Sequence, residues 1–234
     1  MIDKQRLNKK AAEFGIELSE EKLERFSVYA EFLKEYNEKV NLTAIVEDGE
    51  IETKHFLDSL LLSLCVDKNV KIADVGSGAG FPGVPFAILN DGAFLTAIEP
   101  NGKRVEFLKQ LSEKTATNFE AVHIRAEEAS RREEYREGFD VVTARAVKEM
   151  RELCELCLPL VRVGGVFAAL KGPDITEEIK GAGKAISVLG GKLSEIREFT
   201  LPDGSKRNIV LIKKISQVST KYPRIYSKIK KNPL

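Results

Sequence analysis

The chain has only three cysteines in 234 residues, an odd and sparse set that does not suit a disulfide framework. It contains no apolar run of the roughly 18 residues that a membrane helix needs. Its first residues are charged and lack the apolar core of a secretory signal. No internal repeat and no low-complexity tract is present. We therefore expect a globular protein of the reducing cytoplasm, a monomer with no membrane partner.

Net charge is also nearly absent, because 37 Lys and Arg residues are balanced by 36 Asp and Glu residues. This balance argues at first against a nucleic-acid partner. The charge is unevenly distributed, however, since residues 213–234 carry seven basic residues and no acidic one. Tyr222 and Tyr226 lie among these cations, a mixture that suits a phosphate backbone with bases available for stacking. The alternative is a solvated and frayed C-terminus.

Helical signals dominate the first 65 residues. Apolar residues recur at helical spacing from Leu23 to Tyr36 and again from Phe56 to Leu64. These patterns predict an N-terminal helical extension over residues 1–65, followed by a main domain over residues 66–215 and a basic tail over residues 216–234.

From residue 70 onward, short apolar strands alternate with helical stretches. Five strands are predicted, near residues 70–75, 93–98, 119–124, 139–144 and 166–171. Strands separated by helices indicate βαβ units and a parallel sheet covered by helices on both faces. Pro202-Asp-Gly204 then joins two further strand-like runs and is typical of a hairpin turn. We predict an α/β, Rossmann-like sheet of seven strands, mostly parallel, with an antiparallel hairpin at the end.

The strongest motif runs from Asp74 to Pro85, follows the first strand and contains the run Gly-Ser-Gly-Ala-Gly-Phe-Pro-Gly. Glycines there let the backbone approach a ligand closely. Glu99, at the end of the second strand, lies 21 residues after Gly78, where a carboxylate accepts hydrogen bonds from ribose hydroxyls. Together the loop and the acid predict a cofactor that contains a nucleoside.

That nucleoside belongs either to NAD or to S-adenosylmethionine, because both need the glycine turn and the ribose acid. Three features favour S-adenosylmethionine. Asp74 offers a carboxylate near the loop for the methionine ammonium group, Arg125-Ala-Glu127 follows the third strand where an adenine edge would lie, and the sheet ends in a hairpin. An NAD-dependent oxidoreductase and a non-catalytic RNA-binding module stay open as alternatives at this point.

Seven stretches spread over nearly the whole chain carry a resemblance to a known family. They are Asn41-Leu-Thr43, His55-Phe-Leu-Asp-Ser59, Asp74 through Pro85, Arg125-Ala-Glu127, Thr143-Ala-Arg-Ala146, Lys171-Gly172 and the terminal Tyr-Pro-Arg … Pro-Leu. In these motifs the chain resembles the RsmG (GidB) family of S-adenosylmethionine-dependent methyltransferases. That family methylates N7 of a guanine in small-subunit ribosomal RNA. The match departs at Ser227 and Ile229, where the family usually has a Gly and a Pro.

The resemblance implies which residues hold the cofactor and the RNA. Gly76 and Phe81 would line the methionine and ribose side, Glu99 would take the ribose hydroxyls, and Ala126 and Glu127 would meet the adenine. The cofactor-binding residues expected from the loop and the resemblance together are Asp74, Gly76, Ser77, Gly78, Gly80, Phe81, Glu99, Ala126, Glu127 and Arg145. RNA contact, with the rRNA or the ribosomal subunit, is expected at Lys171, Arg207, Lys221, Arg224, Lys228, Lys230 and Lys231.

Arg145 follows the fourth strand and would face the methyl donor or the substrate; the alternative is a structural ion pair with Asp140. We assign no other catalytic residue, because guanine N7 has a lone pair and no proton to lose, so that positioning dominates. His55 and Asp58 are expected either to cap the cofactor or to hold the N-terminal helices against the sheet.

Two patterns point away from other chemistry. Thr143-Ala-Arg-Ala146 stands where amine methyltransferases often have an Asn/Asp-Pro-Pro-aromatic motif. Cys154 and Cys157 form a C-x-x-C without a second pair in a leucine-rich stretch, so we expect core packing and no metal. The alternation of Arg131, Arg132 and Arg136 with glutamates predicts a solvated surface.

Overall fold

The computed structural model describes residues 1–145 and 148–234. Two helices open the chain, α1 (Lys4–Ala12) and α2 (Glu20–Asn37). The side chains of Asp3 and Ser19 accept hydrogen bonds from backbone N–H groups in the first turns of these helices, which supplies the partners that helix N-termini lack. Both helices therefore begin where a polar cap precedes an apolar stripe.

The next helical stretch changes type along its length, although the sequence predicts one regular helix. It consists of α3 (Asp48–Glu50), a π-helical segment (Ile51–Leu57), α4 (Asp58–Leu60) and a 3-10 turn (Leu61–Leu64). Such π-helical turns are rare in proteins, and many of those that occur lie at functional sites. This one carries His55 and ends beside Asp58, and both side chains contact Arg145 of the sheet.

The predicted seven-stranded sheet is confirmed in the part of the chain that the structure describes. Its strands are β1 (Lys71–Val75), β2 (Phe94–Glu99), β3 (Phe119–His123), β4 (Phe139–Arg145), β5 (Val161–Lys171), β6 (Gly191–Thr200) and β7 (Lys206–Lys214). They lie in the order β3-β2-β1-β4-β5-β7-β6. The first five are parallel, whereas β7 is antiparallel to β5 and to β6.

Helices cover both faces of this sheet. They are α5 (Gly83–Leu89), α6 (Gly102–Thr115), α7 (Ala126–Ala129), α8 (Met150–Cys157), α9 (Thr176–Val188) and α10 (Tyr226–Lys231). The N-terminal helices, α5 and α6 share one hydrophobic core, and α8 and α9 share the other. Cys154 and Cys157 lie fully buried in the second core, which confirms that they are packing residues, and burial raises the pKa of both thiols.

The topology marks one edge of the sheet for ligand binding. β1 lies between β2 and β4. The strands run outward from β1 through β2 to β3 on one side, and through β4 to β5 on the other. In open α/β sheets, ligands bind outside the carboxyl ends of the strands at such a switch point. The glycine loop begins there. None of the helices in residues 1–145 and 148–234 is both long and apolar enough to cross a bilayer.

Candidate active site

Asp74 organises the glycine loop from inside. Its Oδ2 accepts hydrogen bonds from Ser77 Oγ at 2.7 Å and from the Gly83 N–H at 3.0 Å, so it closes the loop onto the start of α5. A Cβ at Gly83 would lie 2.8 Å from Cβ of Asp74, and only glycine fits there. Burial raises the pKa of Asp74 to about 6. Its other oxygen, Oδ1, is buried without a hydrogen-bond partner among the described residues.

Gly80 brings the loop against the N-terminal helices. It has φ +97°, and a Cβ there would lie 2.6 Å from Oη of Tyr29 and 2.8 Å from Cγ2 of Val84. The Tyr29 hydroxyl donates a hydrogen bond to the carbonyl of Ala79. Helix α2 therefore supports the glycine loop directly, a contact that no local sequence pattern indicates.

Glu99 joins the loop to the end of β2. Its Oε2 accepts a hydrogen bond from the Gly78 N–H at 2.9 Å, and its Oε1 accepts one from the Asn101 N–H at 2.9 Å. The side chain is buried. Each carboxylate oxygen has a second lone pair, so both can still accept a hydrogen bond from a ribose hydroxyl.

The residues expected at the adenine lie beside Glu99. β3 pairs with β2 so that His123 is opposite Glu99, and the Ile124 N–H donates to the Glu99 carbonyl at 3.3 Å. Helix α7 begins immediately afterwards with Ala126, which is buried, and Glu127, which is half-buried. The structure thus brings the glycine loop, Glu99 and Ala126 to one edge of the sheet.

Phe81 lies deeper than the resemblance implies. Its ring is 5% exposed and stacks on Tyr29, with centroids 5.2 Å apart, and on His55, with centroids 4.3 Å apart. The ring therefore contributes mainly to the contact between the glycine loop and the N-terminal helices. The contact of Phe81 with the methionine and ribose side of the cofactor stays a prediction.

Arg145 pairs with the N-terminal extension, so the alternative of an ion pair with Asp140 is wrong. Its Nη1 donates to the Lys54 carbonyl at 2.9 Å and to Asp58 Oδ2 at 3.1 Å, and its guanidinium lies 4.8 Å from the centre of the Phe81 ring. Asp140 instead accepts from Arg162 Nε at 2.6 Å, because both lie at the opposite end of the parallel strands.

His55 links this arginine to the loop after α2. Arg145 Nη2 lies 3.2 Å from His55 Nδ1, and His55 Nε2 lies 2.9 Å from Thr43 Oγ1. Because a guanidinium only donates, Nδ1 accepts and the ring proton sits on Nε2. Burial, followed by the charge of Arg145, lowers the pKa of His55 to about 3. These contacts support the holding role for His55 rather than the capping role. Ala146, the last residue of the Thr143 motif, lies outside the described residues.

A cavity of about 580 Å³ opens next to Arg145, at the carboxyl ends of β4 and β5. The charged side chains in its wall are Asp58, Arg145, Lys171, Asp174, Glu178 and Arg207. Three cations and three anions balance one another, so the cavity suits a neutral group rich in hydrogen-bonding atoms better than a free phosphate.

Two residues that are expected to bind RNA lie in the wall of this cavity, and both are already paired with other groups of the protein. Lys171 Nζ lies 2.6 Å from Glu178 Oε1 and donates to the Lys148 carbonyl at 2.8 Å. Arg207 Nε lies 3.1 Å from Asp58 Oδ1. Their contact with RNA stays a prediction, and for Lys171 the visible role is to fix the end of β5.

The C-terminal tail is anchored to the main domain, contrary to the alternative of a frayed end. Arg224 makes a bidentate pair with the fully buried Glu155, at 2.8 Å and 2.6 Å. Arg136 donates to the carbonyls of Val218 and Tyr222. The expectation of a solvated surface was wrong for Arg136, which is half-buried. Arg131 and Arg132 are exposed as expected, although the Arg131 guanidinium also donates to the Pro223 carbonyl. These partners lie far away in sequence, which explains the error.

Helix α10 presents its lysines outward. Ile229 is fully buried and fixes the helix, and the side chains around it that are exposed and cationic are Lys228, Lys230 and Lys231. Lys221 is also exposed. The Tyr226 hydroxyl contacts Nζ of Lys148, whose carbonyl binds Lys171. The basic surface of the tail therefore lies beside the cavity.

Comparison with known proteins gives one family. The model of a family described as rRNA small subunit methyltransferase G (GidB) matches residues 22–210. The chain belongs to this family. It is 46% identical over 230 residues to a ribosomal RNA small subunit methyltransferase G of Clostridium botulinum, covering 97% of this chain and 96% of that one. It is 45% identical over 227 residues to one of Acetivibrio thermocellus, covering 96% and 93%.

Solved structures with low sequence identity share the fold. TYW2 of M. jannaschii, solved in complex with AdoMet, gives a TM-score of 0.56 at 17% identity and covers 75% of this chain and 80% of its own. YcgJ of Bacillus subtilis gives 0.56 at 11% identity, with 69% and 100% covered. Membership of the methyltransferase G family confirms the expected enzyme class and S-adenosylmethionine as the methyl donor. The nicotinamide alternative is not supported, since dinucleotide-binding sheets continue with a sixth parallel strand where this sheet inserts the antiparallel β7.

Proposed function

We propose that this chain transfers the methyl group of S-adenosylmethionine to N7 of a guanine in small-subunit ribosomal RNA, as a monomer in the cytoplasm. The observation that carries the proposal is the position of Arg145. It ends β4 at the switch point, lines the cavity and lies over Phe81 of the glycine loop. A cofactor at the loop and a base in the cavity would therefore meet near this residue.

The residues at the sheet edge fit the cofactor. The unpartnered Asp74 Oδ1 is an acceptor suited to the methionine ammonium group, and Glu99 has lone pairs left for the ribose hydroxyls. Ala126 and Glu127 follow as the adenine side, and the backbone of residues 76–80 as the loop that encloses the ligand. When bound, S-adenosylmethionine supplies a methyl group on a cationic sulfur.

The chain's own residues hold the base rather than move a proton. Guanine N7 offers a lone pair, so no group has to remove a proton before attack. His55 is neutral and uses both ring nitrogens in hydrogen bonds, so it has no free site to act as a base. Positioning by the cavity wall is the contribution that we assign to the protein.

RNA contact is the task that we assign to the tail and to the cavity mouth. Arg207 and the exposed Lys221, Lys228, Lys230 and Lys231 contribute directly, whereas Lys171 and Arg224 fix the segments that carry them. In this division, residues 1–65 support the site, residues 66–215 hold the cofactor and residues 216–234 present RNA.

Methyl transfer tests the proposal directly. Labelled S-adenosylmethionine is incubated with unmodified small-subunit RNA and, separately, with small subunits that lack the modification, and the modified base is located by mass spectrometry. We expect label at N7 of one guanine. Thermal shifts with S-adenosylmethionine and with NAD run in parallel, and only the former should raise the melting temperature. A cofactor shift without any RNA methylation would favour a non-catalytic RNA-binding module.

A further inference from the structure

Asp58 holds two arginines of the cavity wall at once. Its Oδ2 accepts from Arg145 Nη1 at 3.1 Å, and its Oδ1 lies 3.1 Å from Arg207 Nε. The carboxylate side chain is 6% exposed, and the two guanidinium groups come from β4 and β7. A single side chain of the N-terminal extension therefore sets the orientation of both cations.

The two arginines differ in the donors that they have left. Arg145 uses Nη1 twice and Nη2 once within the protein. Arg207 uses Nε toward Asp58 and Nη1 toward the Lys206 carbonyl. In residues 1–145 and 148–234, no group accepts a hydrogen bond from its Nη2, and the side chain lines the cavity and is 22% exposed. Arg207 thus keeps three of its five N–H groups for a ligand, two on Nη2 and one on Nη1, whereas Arg145 keeps two.

A site that methylates guanine at N7 has a specific need for such a donor. Adenine carries the same N7, so a site that methylates guanine alone must distinguish the two bases by other atoms. The atom next to N7 on that edge is an acceptor, O6, in guanine and a donor, the N6 amino group, in adenine. A fixed N–H donor binds O6 and leaves N7 free, and it would oppose the amino group of adenine.

We propose that Arg207 donates to O6 of the target guanine and that Asp58 is the positioning residue that holds Arg207 for this contact. The inference rests on the proposed function and adds the basis of its base specificity. It also gives the N-terminal extension a role in substrate choice, since Asp58 belongs to the extension and the arginine to β7.

The test uses target RNAs that carry one altered base at the position mapped by mass spectrometry. Inosine keeps O6, and 2-aminopurine lacks it. With the full-length enzyme, we expect kcat/KM for inosine within about 10-fold of guanine, and for 2-aminopurine at least about 100-fold below guanine. In Arg207→Leu, the guanine rate should fall and the preference over 2-aminopurine should shrink below about 10-fold.

Asp58→Asn tests the positioning role. It keeps the size of the side chain and removes the charge, so we expect a similar loss of preference for guanine over 2-aminopurine. In the Arg207→Leu background the same change should alter the preference for guanine over 2-aminopurine by less than about threefold, because Asp58 acts on that preference through Arg207. Loss of its contact with Arg145 would lower the rates on both bases alike. Glu52→Gln is the matched control. Glu52 is a fully buried carboxylate of the same π-helical region that binds Arg6 and Lys10 away from the cavity. It should lower stability and leave the base preference intact.

Three results would overturn the inference. The first is equal methylation of guanine and 2-aminopurine by the enzyme. The second is that Arg207→Leu weakens the binding of all RNAs alike and reduces its salt dependence, as loss of a phosphate contact does. The third is that Glu52→Gln changes the preference as much as Asp58→Asn does. If the unaltered protein methylates no RNA at all, the proposed function fails instead, and the two failures are thereby distinguished.

Discussion

Nδ1 of His55 accepts a hydrogen bond from Nη2 of Arg145 at 3.2 Å, and this contact joins the π-helical segment to the end of β4. A histidine in this position has to stay neutral, because a proton on Nδ1 would face the donor groups of a permanent cation. The stability of the junction therefore depends on pH.

We predict that His55 makes the protein acid-sensitive. Its pKa is about 3 in the folded chain against an ordinary 6.5, so the unfolded chain binds the proton first. The stability that neutral His55 contributes is fully present above about pH 6.5 and is lost as the pH falls toward 3. His55→Gln cannot charge, and its free energy of unfolding should decline less between about pH 7.5 and pH 4.5 in urea titrations.

His123→Gln is the matched control for that measurement. His123 is exposed, binds the Pro100 carbonyl and makes no contact with Arg145, so His123→Gln removes a histidine without touching the junction, and the smaller decline should be specific to His55→Gln. Parallel curves for the unaltered chain and His55→Gln would contradict the neutral, buried role of His55.

A second prediction concerns Gly80. Its φ of +97° excludes most side chains, and a Cβ added there would lie only 2.6 Å from the Tyr29 hydroxyl. Gly80→Ala should lower the free energy of unfolding by about 1–3 kcal/mol and weaken S-adenosylmethionine binding, measured by calorimetry. Gly181→Ala, inside α9 with open space around it, should instead add about 0.5–1 kcal/mol. Equal effects of the two changes would show that the loop tolerates a side chain.

A third prediction separates binding from folding at Glu99. Glu99→Gln keeps one oxygen to accept from the Gly78 or Asn101 N–H but loses the charge and one acceptor. We expect the Kd for S-adenosylmethionine to rise at least about tenfold, because a hydrogen bond to a charged group contributes about 1.5–3 kcal/mol. Glu99→Ala should cost stability as well, because both N–H groups lose their partner. Calorimetry that finds unchanged affinity for Glu99→Gln would remove Glu99 from the ribose site.

A fourth prediction concerns the lysines of α10. Replacing Lys228, Lys230 and Lys231 by Gln should weaken RNA binding and make it less dependent on salt, with the log–log slope falling by about 2 for three phosphates of a single strand. Filter binding over a salt series measures this. The control replaces three exposed lysines that are scattered over the surface, namely Lys9, Lys109 and Lys184. If both triple variants shift the slope equally, the tail acts only through net charge.

The sheet and the glycine loop could be predicted from local pattern. The strand near Ile72, the glycine turn from Gly76 and the acid at Glu99 each follow from residues that are close in sequence, because a strand needs a run of apolar residues and a close turn needs glycine. The hairpin at Pro202 is predictable for the same reason. In these segments the structure altered the boundaries by a few residues only.

The side-chain partners could not be predicted in this way. Arg145 had a charged neighbour in Asp140 on its own strand, yet it pairs with Asp58, 87 residues away. Arg136 lies in a run of alternating charges and still donates to the tail, more than 80 residues downstream. Ion pairing at these positions depends on which strand ends are neighbours in space, and the local sequence does not indicate this.

The sequence by itself determined the succession of strands and helices along the chain, the glycine loop and the family, since these depend on periodicity and on motifs of neighbouring residues. Only the tertiary structure decided that Asp58 and Arg207 line one cavity with Arg145 and that His55 binds Arg145. It also decided that the basic tail is fixed by Glu155 and Arg136. The physical reason is that burial and hydrogen bonding select partners by distance in space, after the sheet has brought remote segments together.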